Sequence, residues 1–197
     1  MKYVQYFLLA LFCLLMSIDM SGQIFSAKAI VGVNISQVDG DKLSGYNKLG
    51  LNIGLGAEAK LSDRWSLSTE FLFSEQGANA VPNKDVRSLY DKISLKFVEV
   101  PFMINYSDWK IKISTGFSFN RLTNYEVVDF AGANITDLET YNTNIFAGVL
   151  GATVFFTDHI ALNIRISKYL TNLREPTDID IAPFFGRNIG IRLFYVI

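Results

Sequence analysis

Charged residues at polar positions are the groups in this chain that could do chemistry. Glutamate carboxylates enclosed together with lysine and arginine can pass a proton or an ion, or they can pair and hold a structure closed. Pairing is favoured, because a charge left alone in an enclosed space is costly. The set is Glu58, Lys60, Glu70, Glu99, Lys112, Arg165 and Arg192. We therefore expect a structural network of ion pairs and no catalytic site.

Nucleophilic chemistry has little support in the sequence. A serine or cysteine hydrolase usually needs a histidine base, and the one histidine, His159, follows a short turn. The one cysteine, Cys13, lies in the N-terminal apolar run. The chain has no HExxH, CxxC, P-loop or dinucleotide motif. The sequence thus predicts no enzyme, no cofactor and no catalytic residue.

Two polar stretches are rich in acids but lack the spacing of a calcium loop. These acids are Glu126, Asp129, Asp137 and Glu139 in the first stretch and Glu175, Asp178 and Asp180 in the second. We interpret them as solvated loop acids and predict no metal site. The first stretch also holds Tyr125, Phe130 and Tyr141, aromatic side chains of the kind that contact partner proteins.

The N-terminus predicts export. Lys2 precedes an apolar run that ends in small residues at Ser21 and Gly22, so residues 1–22 are predicted to be a signal peptide and 23–197 the mature domain. No later apolar run reaches the roughly 18 residues of a membrane helix. The net charge of −1 gives no reason to expect nucleic acid as a partner.

Eight segments alternate between apolar and polar residues, which is the period of a β-strand. They cover about 28–36, 47–61, 65–75, 92–106, 110–122, 144–156, 159–170 and 187–197. Short turns follow the second, fourth and sixth segments, and long polar connections follow the first, third, fifth and seventh. This order predicts an all-β fold, an eight-stranded antiparallel up-and-down transmembrane β-barrel with short periplasmic turns and long extracellular loops.

The apolar faces are predicted to point outward into lipid. Leucine, isoleucine, phenylalanine and valine dominate them, whereas the opposite faces are rich in glycine, serine and asparagine and suit a narrow interior. A soluble periplasmic barrel that carries a small apolar ligand would have the reverse arrangement. In the fourth segment the apolar positions change phase near Phe97, which predicts a bulge. The sixth segment is apolar on both faces, so its orientation stays open.

Aromatic residues gather near the short turns, where a barrel in a membrane carries an interfacial girdle. They are Trp65, Tyr106, Trp109, Phe155, Phe156 and Tyr195. The alternative is that aromatics simply favour strands. We predict the girdle, with membrane lipid as its partner.

Several segments resemble the porin-like outer-membrane β-barrel family of Bacteroidota, which includes PorT-type proteins. They are LNIGLGAEAKLSDRWSL from Leu51, STEFLFSEQG from Ser68 and FVEVPFMI from Phe97. The resemblance implies an outer-membrane location and assembly by the machinery that recognises a terminal aromatic residue. Tyr195 fits that signal, whereas the terminal Ile197 departs from it.

These observations together predict a non-enzymatic outer-membrane barrel with a structural role or a role in binding through its loops. A protein partner would then contact the extracellular loops. The PorT-type resemblance implies a narrower alternative, an accessory component of a protein secretion system.

Overall fold

The computed structural model describes residues 25–40, 45–80, 90–174 and 184–197. Within these residues, eight antiparallel strands each pair with their neighbours in sequence, and the first pairs with the last to close a barrel. The strands are β1 Phe25–Asp39, β2 Lys48–Lys60, β3 Trp65–Asn79, β4 Tyr90–Asp108, β5 Ile111–Asp129, β6 Asn144–Phe155, β7 Ile160–Tyr169 and β8 Phe185–Val196. The predicted fold class is confirmed. The predicted signal peptide, 1–22, lies outside the described residues.

The connections divide the barrel into a turn end and a loop end. Residues 61–64, 109–110 and 156–159 form the short turns. Hydroxyl groups close two of them, because Ser62 Oγ accepts the Trp65 amide at 3.1 Å and Thr157 Oγ1 accepts the Ile160 amide at 3.0 Å. Both ends of the barrel domain lie at the turn end, since β1 begins there and β8 finishes there.

Side chains alternate between the lumen and the exterior along each strand, and the exterior ones are apolar over about nine residues. On β5 the exterior set is Ile111, Ile113, Thr115, Phe117 and Phe119. Nine residues at about 3.3 Å each, tilted by about 40°, span roughly 23 Å, close to the ~25 Å apolar height of a membrane barrel. We call this exterior surface the apolar band.

The apolar band ends before the strands do. Toward the loop end, a polar or charged outward residue follows the last apolar one on seven strands, namely Gln37, Glu75, Lys96, Arg121, Asn144, Lys168 and Arg187. β4 and β5, at 19 residues each, are about twice as long as the band requires. Their outer parts therefore stand above the membrane.

The predicted change of phase within β4 is wrong. Ile93, Leu95 and Phe97 face the lumen, as do Glu99 and Met103 further along the strand, so the alternation continues unbroken. The register does shift beside Phe97, but the extra residue lies on β5, between Leu122 and Asn124. Apolar side chains turn inward here because this part of the strand lies above the apolar band and is surrounded by water.

These inward residues belong to an apolar cluster that fills the lumen at the loop end, which we call the loop-side core. It contains Val38, Ala78, Tyr90, Ile93, Leu95, Phe97, Leu122, Val127, Tyr141, Ile145, Ala147, Tyr169, Leu173 and Phe184. Ile145 and Ala147 settle the orientation of β6, whose alternate residues Phe146 and Leu150 are exposed on the exterior. The lumen is thus apolar above the membrane, whereas within the membrane it is mainly polar and holds only a smaller apolar cluster of Ile30, Leu72, Ala161 and Phe194.

One short 3-10 helix, Thr136–Leu138, lies in the connection between β5 and β6. No helix in the described part of the chain is both long enough and apolar enough to cross a membrane.

Candidate functional site

A buried carboxylate on β3 is the centre of the lumen's charged residues. Glu70 lies 2.8 Å from Lys28 Nζ, 2.9 Å from Arg165 Nη2 and 3.2 Å from Arg192 Nη1. The cations come from β1, β7 and β8, and closure of the barrel brings those strands opposite β3. Arg192 also donates to Asn163 Oδ1. We call Lys28, Glu70, Arg165 and Arg192 the charge cluster.

A second ion pair lies nearer the turn end. Lys112 Nζ lies 2.6 and 2.8 Å from the two oxygens of Glu58, and Ser66 Oγ donates to the same carboxylate at 2.7 Å. This pair joins β2 to β5 across the lumen. Ions paired across the lumen hold opposite walls together, which is the arrangement expected of a structural network.

The structure brings together five of the seven charged residues named from the sequence. Glu99 faces the lumen and is buried, yet no cation among the described residues lies within ion-pairing distance of it. Lys60 does not enter the network, because it is exposed at the turn end. The sequence analysis missed Lys28, although it shares its strand face with Asn34 and Ser36 and so showed the lumen pattern.

A layer of amides and hydroxyls separates the charge cluster from the loop-side core. Asn34 Nδ2 donates to Ser74 Oγ at 2.9 Å, and Asn34 Oδ1 accepts from Asn188 at 3.0 Å. Gln76 donates to Ser74 at 2.9 Å and accepts the Tyr169 hydroxyl at 2.8 Å. These neutral bonds tie β1, β3, β7 and β8 together, and the side chains that form them are buried; we call them the amide layer.

The loop end is fastened by a cation, a carboxylate and a phenol. Arg174 Nη1 donates to Glu139 and, at 2.8 Å, to the Tyr90 hydroxyl, which itself donates to Glu139 at 2.8 Å. Burial alone lowers the pKa of the Arg174 guanidinium, but the hydrogen bond and the charge of Glu139 raise that pKa above its ordinary value. We call these three residues the loop clamp, because they join two loops to the start of β4.

The loop between β5 and β6 is folded. Asp129 Oδ1 accepts the amides of Ala131 at 2.9 Å and Ala133 at 2.8 Å, and the Val127 amide donates to Thr136 Oγ1 at 3.0 Å. Asp129 is thus a turn-forming acid. Of the other acids there, Glu126 pairs with Lys92 at 2.9 Å, and Glu139 belongs to the loop clamp, so the interpretation of Glu139 as a solvated acid is wrong. The acids Glu175, Asp178 and Asp180 lie outside the described residues.

Two of the three aromatic residues expected to contact a partner are turned inward. Tyr141 is buried in the loop-side core, and Tyr125 packs against it with ring centroids 5.0 Å apart. Their phenol rings fill the space beneath the loop. Phe130 alone of the three is strongly exposed, at 75%, and Leu138, in the same loop, is 82% exposed.

Most of the aromatics predicted for the girdle lie on the exterior of the turn end. Trp65, Phe156 and Tyr195 are exposed, Trp109 is 88% exposed, and Tyr106 packs against Trp65 with ring centroids 5.1 Å apart. Phe155 is an exception. It packs inward against Ile30, Leu72, Ala161 and Phe194. The reason is that Phe155 occupies a lumen-facing position of β6, where it pairs with Ala161 on β7.

Residues that could catalyse a reaction or bind a metal do not converge. His159 lies in the third short turn, with Nδ1 2.9 Å from the Val196 carbonyl oxygen, and its ring stacks on Tyr195. Across the described ranges, no group of three or more histidine, cysteine, aspartate or glutamate side chains could hold a metal ion.

Two adjacent spaces that share lining residues lie at the turn end. The outer one, of about 570 Å³, opens at the rim and is lined by Lys60, Arg64 and Trp109 among others; we call it the vestibule. The inner cavity, of about 60 Å³, contacts Lys28, Glu70 and Arg165. Glu58 and Lys112 line both spaces, so their ion pair lies at the boundary between them.

The side chains also decide against the soluble carrier. Leu55, Phe71 and Phe117 are each more than 60% exposed on the exterior, whereas the lumen at the same depth holds ions and amides. A soluble barrel with an apolar ligand requires the opposite distribution. The apolar part of the lumen, the loop-side core, is filled by its own side chains.

Comparison with known proteins agrees with this architecture. Two of the similar solved structures are Ail, the attachment invasion locus protein of Yersinia pestis, and the Neisserial surface protein A. Ail gives a TM-score of 0.54 at 14% identity, covering 89% of this chain and 100% of that one. Neisserial surface protein A gives 0.54 at 10% identity, covering 89% and 99%. Similarity at this level of identity shows the fold.

A comparison with curated protein sequences finds no significant match. The family model described as "Outer membrane protein beta-barrel domain" matches residues 7–184, most of the chain. Together with the apolar band and the closed eight-stranded sheet, this match locates the protein in the outer membrane. The chain therefore belongs to the outer membrane protein beta-barrel domain family.

Proposed function

We propose that the protein is a non-enzymatic outer-membrane barrel that binds a partner protein through the loop between β5 and β6. One observation carries the proposal: a folded loop presents two strongly exposed apolar side chains, Phe130 and Leu138. The loop clamp and the loop-side core support that loop from below, so its shape is preformed. A preformed loop loses little entropy on binding, which favours affinity.

The filled lumen argues against a role as a channel for solutes. Among the described residues, the amide layer and the loop-side core occupy the lumen between the charge cluster and the loop end, which argues against passage of a solute. Long loops face the exterior in outer-membrane barrels, and the exposed pair Phe130 and Leu138 would therefore face partners outside the cell. Apolar anchors of this kind commonly dominate an interface.

The test is photo-crosslinking in intact outer membranes with a crosslinking amino acid in place of Asp137, an exposed neighbour of Leu138. We expect a discrete crosslinked protein. The double variant Phe130→Ser, Leu138→Ser should reduce its yield at least tenfold, because two anchors each contribute more than about 1 kcal/mol. The matched control is Ala131→Ser with Ala133→Ser, two exposed positions in the same loop.

All variants must show the same heat-modifiable mobility on a gel, which reports a closed barrel. An unchanged crosslink in the Phe130 and Leu138 variant would contradict the proposal. So would single-channel conductance in a planar bilayer or a change in membrane lipids that depends on the protein, because these are the signatures of a channel and of an enzyme.

The segments that resemble PorT-type proteins support a narrower version, in which the partner belongs to a protein secretion system. The same double variant then should lower the amount of protein exported into the medium, and the alanine control should not. If the crosslinked partner is lost while export is unchanged, the secretion role fails and a structural or adhesive role remains.

A further inference from the structure

We infer that the inner cavity is a binding site for one small monovalent anion, such as chloride or formate. The charges around it are the first argument. Among the described residues, the lumen at the level of the inner cavity and the charge cluster encloses four cations, Lys28, Lys112, Arg165 and Arg192, against three carboxylates, Glu58, Glu70 and Glu99. One positive charge is left over, and an enclosed surplus charge is costly.

Arg165 supplies the second argument. It is 4% exposed, and its Nη2 atom is engaged by Glu70 at 2.9 Å and lies 3.1 Å from Met103 Sδ. Its Nε and Nη1 atoms are buried without a hydrogen-bond partner among the described residues. Buried donors are almost always paired, and Arg165 is one of the residues that line the inner cavity, so an acceptor bound beside its guanidinium would pair donors that the described residues leave unpaired.

The inner cavity has the lining that an anion requires. The lining carries three positive charges, on Lys28, Arg165 and Lys112, against the two negative charges of Glu58 and Glu70. Ser26 and Ser114 add hydroxyl donors. Its volume of about 60 Å³ accommodates a small ion with at most a few waters. The surplus of one charge selects a monovalent ion, since a divalent one would overcompensate. The ion would enter from the vestibule, past Glu58 and Lys112.

The site should bind an ion without conducting it, because buried side chains of the amide layer and the loop-side core occupy the described lumen beyond it. Binding to the folded barrel and not to the unfolded chain stabilises the fold by mass action. Above the dissociation constant, each tenfold increase in the anion should therefore raise the folding equilibrium constant tenfold. A plot of the logarithm of that constant against the logarithm of anion concentration has a slope of one.

The test is urea unfolding of the refolded barrel in detergent micelles at constant ionic strength, with chloride or formate exchanged for gluconate. Gluconate is too large for the cavity and keeps screening constant. We expect a slope near one for chloride and for formate. A slope of zero for both would overturn the site, since water alone would then satisfy Arg165. A slope near one for only one of the two anions would support the site and identify that anion as the one that binds.

Charge variants separate this site from general salt effects. Lys28→Met removes the surplus positive charge and should reduce the slope toward zero. Glu99→Gln increases the surplus positive charge, so the slope should stay near one. Lys168→Met, on the exterior, is the matched control and should leave the slope at one. Equal slopes in all four proteins would refute the inference, because the dependence would then come from the unfolded chain or the micelle.

Crystals of the unmodified protein grown in sodium bromide give a direct readout. This test needs no variant, so a folding defect cannot affect its result. Bromide replaces chloride and scatters anomalously, so a bound ion appears as a peak within hydrogen-bonding distance of Arg165 Nε or Nη1. A peak there supports the site. Its absence at a bromide concentration that stabilises the barrel would place the effect elsewhere and refute the assignment.

Discussion

Replacing the carboxylate at the centre of the charge cluster should destabilise the barrel more than any other isosteric change. Glu70→Gln keeps the size of the side chain but leaves Lys28, Arg165 and Arg192 without their shared anion. Removing one partner of a buried ion pair costs about 3–5 kcal/mol. Three cations within 3.2 Å of one fully buried carboxylate put the expected loss of unfolding free energy at the upper end, about 4–5 kcal/mol.

The matched control is Glu75→Gln on the same strand. Glu75 pairs with Lys96 at 3.9 Å, and both side chains are partly exposed, so the loss should stay below about 1 kcal/mol. The measurement is equilibrium urea unfolding in lipid vesicles, with unchanged m-values as the check that the unfolded state is the same. Adding Lys28→Met to Glu70→Gln removes one unpaired cation and should recover about 1–3 kcal/mol, a coupling energy typical of contacting residues.

A loss below 1 kcal/mol for Glu70→Gln would refute this reasoning. It would mean that water penetrates the lumen and screens the three cations. A double variant no more stable than the single one would lead to the same conclusion, because the repulsion among the cations would then be absent.

Three further outcomes are expected. Gly116→Ala should lower the unfolding free energy by about 1–3 kcal/mol through overpacking, because a Cβ atom at this position would overlap the Phe102 carbonyl oxygen. The control is Gly148→Ala, where the nearest contact of the added Cβ is Leu170 Cδ2 at 3.9 Å. It should change the unfolding free energy by less than about 0.5 kcal/mol. Phe102→Lys, on the exterior at the middle of the apolar band, should cost about 2–4 kcal/mol in vesicles, and Val98→Lys near its edge at most about 1 kcal/mol; equal costs would contradict the position of the band. The fluorescence of Trp65 and Trp109, the two tryptophans of the chain, should be quenched most by lipids brominated close to the headgroup, and strongest quenching from the chain ends would contradict the girdle.

The sequence could predict the strands because one face of each is exposed to a uniform solvent. On β2 and on residues 111–119 of β5 the exterior meets hydrocarbon, so apolar residues recur at every second position and mark the strand. The same rule predicted that Glu70 and Arg192 face the lumen. It could also have found Lys28, which shares a face with Asn34 and Ser36.

The orientation of the outer half of β4 could not be inferred with that rule. Ile93 and Leu95 are apolar for the opposite reason from Ile104: they avoid water inside the barrel, whereas Ile104 avoids it in lipid. A pattern of apolar residues does not show which of the two solvents surrounds a segment. The same ambiguity left β6 undecided, because Ala147 and Val149 fill the lumen while Phe146 and Leu150 face out.

The pairing of charges was also beyond a linear pattern. Lys28 and Glu70 are 42 positions apart, and Arg192 reaches Glu70 across the lumen. Which cation meets which carboxylate depends on the tilt and register of strands that are not neighbours in the sheet. The alternation of each strand predicts only that a residue enters the lumen. Glu99 enters it and yet has no ionic partner among the residues that the structure describes.

The reversal of polarity along β4 and β5 explains why these strands are longer than a membrane requires. About nine residues of each cross the hydrocarbon, where stability depends on lipid outside and paired ions inside. The rest carry Lys92 and Glu126 outward and Ile93 and Val127 inward, the distribution of a water-soluble barrel. These outer parts of β4 and β5 are stabilised by burial of their own apolar surface. The loop clamp therefore rests on a core whose stability does not depend on the bilayer. The membrane therefore determines where the protein resides, and the loop-side core determines how rigidly it presents Phe130 and Leu138.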